Sequence, residues 1–442
     1  MMMDAQGLPL TAASAAAVAG YDHAIAGYLK YRADTPQRLQ TALAIDPDCP
    51  MLRVALGAFT MLGHKAAAVP MATEALVAAQ RLATRATPRE QAHVAALAAW
   101  VGNDVTQALR LWRQIIGEYP HDILAFRLHH FVAFWAGRPD WMREAVDLVQ
   151  PHWSRAMPGY GSVLACRAFA SEECGDYTTA EAAGREAIAL DPADLWAAHA
   201  VAHVLEMQGR RGEGIAWIEG LSPHWDGANN LAHHLWWHGA MYHLERRDWP
   251  TVLALYDKRF RDLASPLTQL VPDLYIDMQN ACSMLFRLGL RGVEVGDRWT
   301  ELADKAEARI GDHQNPFTLP HWMMALAATQ RWDAAARMLD AMRAGNALVR
   351  EVAMPVCDAA LRHGRGDFAG AVAVMRPVLS RMFLLGGSHA QQDVLEQLYL
   401  NSAVQAGLHE DTRSLLERVA GRHPVPPARR VGYAGAAEAV GF

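Results

Sequence analysis

His199, His203 and Glu206 follow one another at spacings of four and three residues, and His234 and His238 repeat the four-residue spacing further on, with Trp237 beside them. On an α-helix each residue advances about 100°, so the first three fall within roughly 60° of one another on one face. Imidazole titrates near neutrality and can donate, accept or bind a metal. A carboxylate one turn away can orient an imidazole or act as a base. Four imidazoles and one carboxylate from neighbouring helices also form a plausible donor set for Zn, Fe or Cu. The order differs from HExxH, because Glu206 follows the second histidine instead of standing between the two, so the metalloprotease mechanism does not transfer. The same residues also suit a polar groove for a peptide, and His-x3-His pairs arise on helices by chance. Both readings stay open, and neither a metal nor a cofactor is assigned.

Weaker candidates surround this set. His129 and His130 lie in a helical run with Phe131, Phe134 and Trp135, where a core role is expected. His313 and His321 flank Pro316 and Pro320 at a helix entrance. Gly386-Gly387-Ser388 precedes a helix, whose amides would suit an anion or simply a cap. Asp393, Gln397 and Asn401 continue that helix as a polar stripe at four-residue spacing, and Glu172, Glu173, Asp273 and Asp277 add carboxylates. Nucleotide motifs of the GxGxxG and GxxxxGK[ST] kinds are missing, as is a GxSxG elbow. Any catalysis would rest on acid–base or metal chemistry.

The elements that must position these residues are helical. Apolar residues recur every three to four positions, Ala, Leu, Arg and Glu dominate, and alternating β-branched runs are absent. Thr87-Pro88-Arg89-Glu90 reads as a capping box with proline in the first turn, and Ser388 to Gln391 repeats that logic. Ala42-Leu43-Ala44-Ile45-Asp46-Pro47 is echoed by Ala187-Ile188-Ala189-Leu190-Asp191-Pro192, and Gly175 and Gly209 stand 34 residues apart at turns. A period near 34 with a glycine turn, small residues inside the helices and a closing proline resembles the tetratricopeptide repeat. Gly175 to Glu181 is the cleanest instance and Gly366 to Ala371 another. The expected fold is all-α, a tetratricopeptide-like superhelix of antiparallel helix pairs. One continuous domain is expected over 1–442, with its clearest repeats near 87–120, 161–194, 195–228 and 352–385.

The bulk properties narrow the function classes. The chain has 442 residues, 52% of them hydrophobic and 20% charged, with 41 basic against 47 acidic residues and a net charge of −6. That supports a large core and argues against nucleic acid as a partner, since phosphate neutralisation needs clustered Lys and Arg. Five scattered cysteines without a CxxC pair fit a reducing cytoplasm with all thiols free. The first 23 residues lack the pattern of a signal peptide, and no run of 18 uninterrupted apolar residues occurs, so no membrane span is expected.

Several segments together resemble the tetratricopeptide repeat protein 38 family. They are Gly7 to Leu10, His199 to Met207, Leu231 to His238, Ser283 to Leu288, Gly292 to Trp299 and Gly386 to Val394. They run in order over nearly the whole chain, with His233 and Gln392 as departures from the family's pattern. The resemblance implies a tetratricopeptide-like superhelix, with the helix bearing His199, His203 and Glu206 on its concave side, and it implies no reaction. The expected function is a central pocket lined by His199, His203, Glu206, His234 and His238 that binds a small molecule, with catalysis left open. The alternative is a scaffold that binds a peptide in its concave groove. Oligomerisation is compatible with either.

Overall fold

The computed structural model describes residues 2–442. The fold is all-α. Among the described residues there are 24 α-helices, and the only strands are Met2–Met3 and Pro9–Leu10, paired antiparallel. Successive helices pack against one another as hairpins. Such pairs stand at Pro88–Val101 with Val105–Glu118, Tyr160–Glu173 with Tyr177–Leu190, and Met354–Gly364 with Phe368–Met375.

Local sequence chemistry starts and stops these helices. Thr87 Oγ1 accepts from the Glu90 amide at 3.2 Å while Glu90 Oε2 accepts from the Thr87 amide at 2.7 Å, which occupies two otherwise orphaned donors. Ser388 and Gln391 form the same reciprocal cap at the start of His389–Gln405. Gly175 turns the chain at φ +81°, a left-handed value that side chains resist, and Asp176 then caps the next helix through the Thr179 amide. Gly184 permits close helix approach, because a Cβ there would stand 2.5 Å from Val201 Cγ2.

The chain packs into two compact units. The first comprises residues up to Val201 together with Leu221–Leu231, and the second comprises Ala202–Gly220 with Ala232–Phe442. The division falls inside the Leu195–Met207 helix. Fully buried Trp112, Phe126 and Phe169 anchor the core of the first unit, and Trp237, Tyr242, Phe260 and Phe317 that of the second. All five cysteines are free thiols, and only Cys174 is exposed.

The segment 368–385 is helical and has the length and composition of a membrane span, 18 residues at a mean hydropathy of 1.5. An average tolerates the interruptions that a search for unbroken apolar runs does not. The interrupting Arg376 and Arg381 pair with Asp411 and Glu351 at 2.7 and 2.9 Å.

Candidate functional site

Helical periodicity places His203 and Glu206 three residues apart on Leu195–Met207, and places His234, Trp237 and His238 along one side of Leu231–Glu245. In the second unit these two helices bring three imidazoles together. The ring centroids of His203 and His238 are 4.4 Å apart, and those of His234 and His238 are 4.8 Å apart, both edge to face. One ring nitrogen from each of the three lies within 4.8 Å of the other two. All three side chains are buried, at 2% exposure or less.

Each of two imidazoles is held from behind. His238 Nδ1 lies 2.9 Å from Glu206 Oε2, and His234 Nδ1 lies 2.8 Å from Asn280 Oδ1 on the Tyr275–Gly289 helix. An amide oxygen only accepts, so His234 carries its proton on Nδ1 and turns its Nε2 lone pair the other way, and His238 does the same when Glu206 is ionised. His233 is tied elsewhere, with Nδ1 at 3.1 Å from Asp277 Oδ2. The Trp237 ring stacks on His234 at 5.2 Å and 9°.

A second polar layer supports the first. Arg287 lies 5.7 Å over the Trp237 ring, donates from Nη2 to the Ala390 carbonyl at 2.9 Å and reaches Asp393 Oδ2 at 3.2 Å. Asp393 also accepts from Arg430 Nη2 and from the Tyr433 hydroxyl, each at 2.6 Å. Trp237 Nε1, Asn280 Nδ2 and Arg287 Nε are buried donors without an acceptor in the protein.

Burial dominates the electrostatics. It takes the pKa of His234 and His238 down to about 3, and His203 well below its ordinary value, with the neighbouring imidazoles pushing His203 and His234 further down. All three are neutral at pH 7. Burial pushes Glu206 up to about 7, against the pull of Arg287 and Arg430. Asp393 goes the other way: burial would raise it, but Arg430 and Arg287 hold it well below the usual carboxylate range. A cavity of about 30 Å³ in the second unit is lined by Met207, His389, Asp393, Glu396, Arg422 and Arg430 among others, and by none of the three imidazoles. That volume suits a water molecule or another single small occupant.

Of the five residues singled out in the sequence, the second unit brings together His203, Glu206, His234 and His238. His199 lies one turn earlier on the same helix and belongs to the first unit, where its ring stacks on Trp196 at 4.8 Å and tilts against Phe169 at 5.0 Å. The weaker candidates take structural places. His130 Nε2 accepts from Trp196 Nε1 at 3.2 Å in the core, and His321 Nδ1 donates to the Phe317 carbonyl at 2.8 Å. Ser388 is a cap, while Asp393 and Gln397 of the polar stripe face inward. Asp273 pairs with Arg309 at 2.9 Å. A larger cleft of about 290 Å³ in the first unit carries Lys30, Arg32, Arg38 and His224. Lys30 there is paired with Asp191 at 2.7 Å, Arg32 donates to the Asp226 carbonyl at 2.6 Å and Arg38 pairs with Asp34 at 3.0 Å, so all three of these cations are engaged.

Asn280 and Arg287 had no role in the sequence reading. The available signal was a charged residue inside the apolar run Ser283 to Leu288, where burial of a guanidinium demands a dedicated partner.

No family model matches the chain. A chain of the solved Naa15/Naa10 complex bound to HypK-THB aligns over 96% of this chain and 67% of its own length, at 13% identity and a TM-score of 0.26. A likeness that distant adds nothing to the fold described above.

Proposed function

We propose that the protein binds a small molecule, offering oxygen acceptors to the Trp237, Asn280 and Arg287 donors and a hydrogen-bond donor to the imidazole lone pairs, at the site formed by His203, Glu206, His234 and His238. His199, four residues before His203 on the same helix, joins this proposal. The observation that carries the reading is the enclosure of three neutral imidazoles beside the donors of Trp237, Asn280 and Arg287, which the protein itself does not saturate. A buried donor left in that condition costs about 1–3 kcal/mol, which a ligand oxygen would recover. Burial also favours a small ligand over the peptide-binding alternative, because a peptide groove would present these side chains at the surface. Neutral imidazoles and a carboxyl group with a pKa near neutrality are also suited to moving a proton on a bound ligand. This supports binding first and leaves the reaction to be found.

The test is a thermal-shift and calorimetric screen of the purified protein against inorganic phosphate and a panel of small mono- and dicarboxylates. At least one should stabilise the wild type, and His203→Ala and His238→Ala should each lose that binding at least 100-fold. His203→Ala should weaken binding far more than folding. A wild type that responds to none of the panel, or variants that respond equally, would refute the reading.

A further inference from the structure

We propose that His203, His234 and His238 hold a divalent first-row transition metal ion, with Glu206 and Asn280 as the outer groups that aim two of the rings. The inference rests on the reading above, that this cluster is the ligand site, and it names what the imidazoles themselves bind.

Three observations support it. The candidate donor atoms already lie within 4.8 Å of one another. Tetrahedral Zn–N bonds of about 2.0–2.1 Å place donor nitrogens about 3.3 Å apart, so the rings need to close by at most about 1.5 Å. Side-chain rotations cover such a distance. The Nδ1 positions of His234 and His238 are committed to an amide oxygen and a carboxylate at 2.8 and 2.9 Å. That is the outer-shell arrangement which fixes a ligating imidazole in its Nδ1–H tautomer and directs Nε2 to the metal. The three rings come from two rigid helices in a buried setting, which limits the entropy lost when the site closes.

The donor chemistry narrows the ion. An all-nitrogen set suits Zn2+, Fe2+, Ni2+ or Cu2+, while Mg2+ and Ca2+ require oxygen ligands. Three protein ligands leave a coordination position for water or for an oxygen of the small ligand. Glu206, bonded to His238 and without a guanidinium on it, supplies negative charge beside a dication in the interior.

Purified full-length protein, dialysed against a chelator, is titrated with Zn2+ by calorimetry and with Co2+ by visible absorption. The expected result is one equivalent bound, with the d–d bands of a four- or five-coordinate Co2+ site. His203→Ala and His238→Ala should each lower affinity at least 100-fold, and exposed His409→Ala should leave it unchanged. Glu206→Gln should lower affinity 10–100-fold and also shift the Co2+ spectrum, which loss of a merely structural contact would not do. His238→Gln, which keeps a group able to bond Glu206, serves if the alanine variant fails to fold by circular dichroism. A wild type that takes up no stoichiometric metal, or histidine variants that bind it equally well, would overturn the proposal. If the metal-free protein still binds a small acid and loses it with His203→Ala, the metal proposal falls while the ligand site survives. If metal binds as expected and no acid does, the ligand reading fails and the metal site stands.

Discussion

In the first unit, buried Asp122 accepts from Arg89 Nη1 at 2.7 Å and faces His93 Nε2 at 2.8 Å, while its other oxygen caps the Ile123–Trp135 helix through the Ala125 amide at 2.9 Å. In the second, Glu206 stands behind His238 and Asn280 behind His234, and three imidazoles meet in front of them. Both clusters are buried and both combine imidazole with a carboxylate. They differ in what the carboxylate does. Asp122 is the hub: burial would raise its pKa, but His93 and Arg89 hold it well below the carboxylate range, so the cluster closes on its own charges and ties one helix to the start of another. Glu206 is a backing group, without a guanidinium bonded to it, and burial takes it up towards neutrality. A carboxylate at the centre makes a tie, whereas carboxylate and amide at the periphery leave imidazoles packed against one another.

Acid should separate the two clusters most sharply. The pKa values of His234 and His238 drop from about 6.5 unfolded to about 3 folded, so below pH 6.5 the unfolded chain takes up protons that the folded chain refuses. Stability therefore falls as pH drops from 6.5 towards 3, on the order of 4 kcal/mol per histidine at the acid end. Glu206 has the opposite sign. Its raised value means that its contribution is present below pH 4.5 and lost as pH rises through about 7. Asp122 has a depressed value and adds a loss only below about pH 3.8. Urea denaturation across pH 3–7 should thus show the loss beginning well above pH 4. Buried His129, His130, His321, His363 and His423 act in the same direction, so His238→Gln should lessen that slope by its own share, and an unchanged slope would remove the second cluster as a source.

Next in size is Asp122→Ala, which leaves the buried Arg89 guanidinium only Asp4 at 3.6 Å and the Pro9 carbonyl at 2.8 Å, and should cost about 3 kcal/mol in urea denaturation while leaving Zn2+ affinity within twofold. A large loss of metal affinity would break the comparison, since it would make the tie part of the site. Gly214→Ala should cost about 1–3 kcal/mol, because its Cβ would fall 2.3–2.6 Å from the Tyr242 ring. Tyr242 holds the helix of His203 through the Ala202 carbonyl at 2.6 Å. The same variant should therefore weaken metal binding, where Asp122→Ala does not. The smallest effect is Thr87→Ala, about 1 kcal/mol from a lost cap in the first unit, read as a lowered melting temperature with metal affinity unaltered.

How much was legible in advance depends on the range of the interaction. The helical period, the glycine turns and the caps at Thr87 and Ser388 are encoded within three or four residues, so spacing and residue type reveal them. The shared face of His203 and Glu206 is equally local. Other features are not. His234 meets Asn280 across 46 positions, and Arg287 meets Asp393 across 106. Such pairings depend on which helices pack together and at what rotation, which periodicity leaves undetermined.

The amino-acid sequence by itself determined an all-α chain of helix hairpins and the alignment of ionisable groups along single helices. Backbone hydrogen bonding and the 3.6-residue turn act between near neighbours. Only the tertiary structure decided which imidazoles converge, that Glu206 lies behind His238 instead of facing a ligand, and that burial keeps the rings neutral. Desolvation is a property of the surroundings a residue is packed into, and those surroundings come from distant parts of the chain.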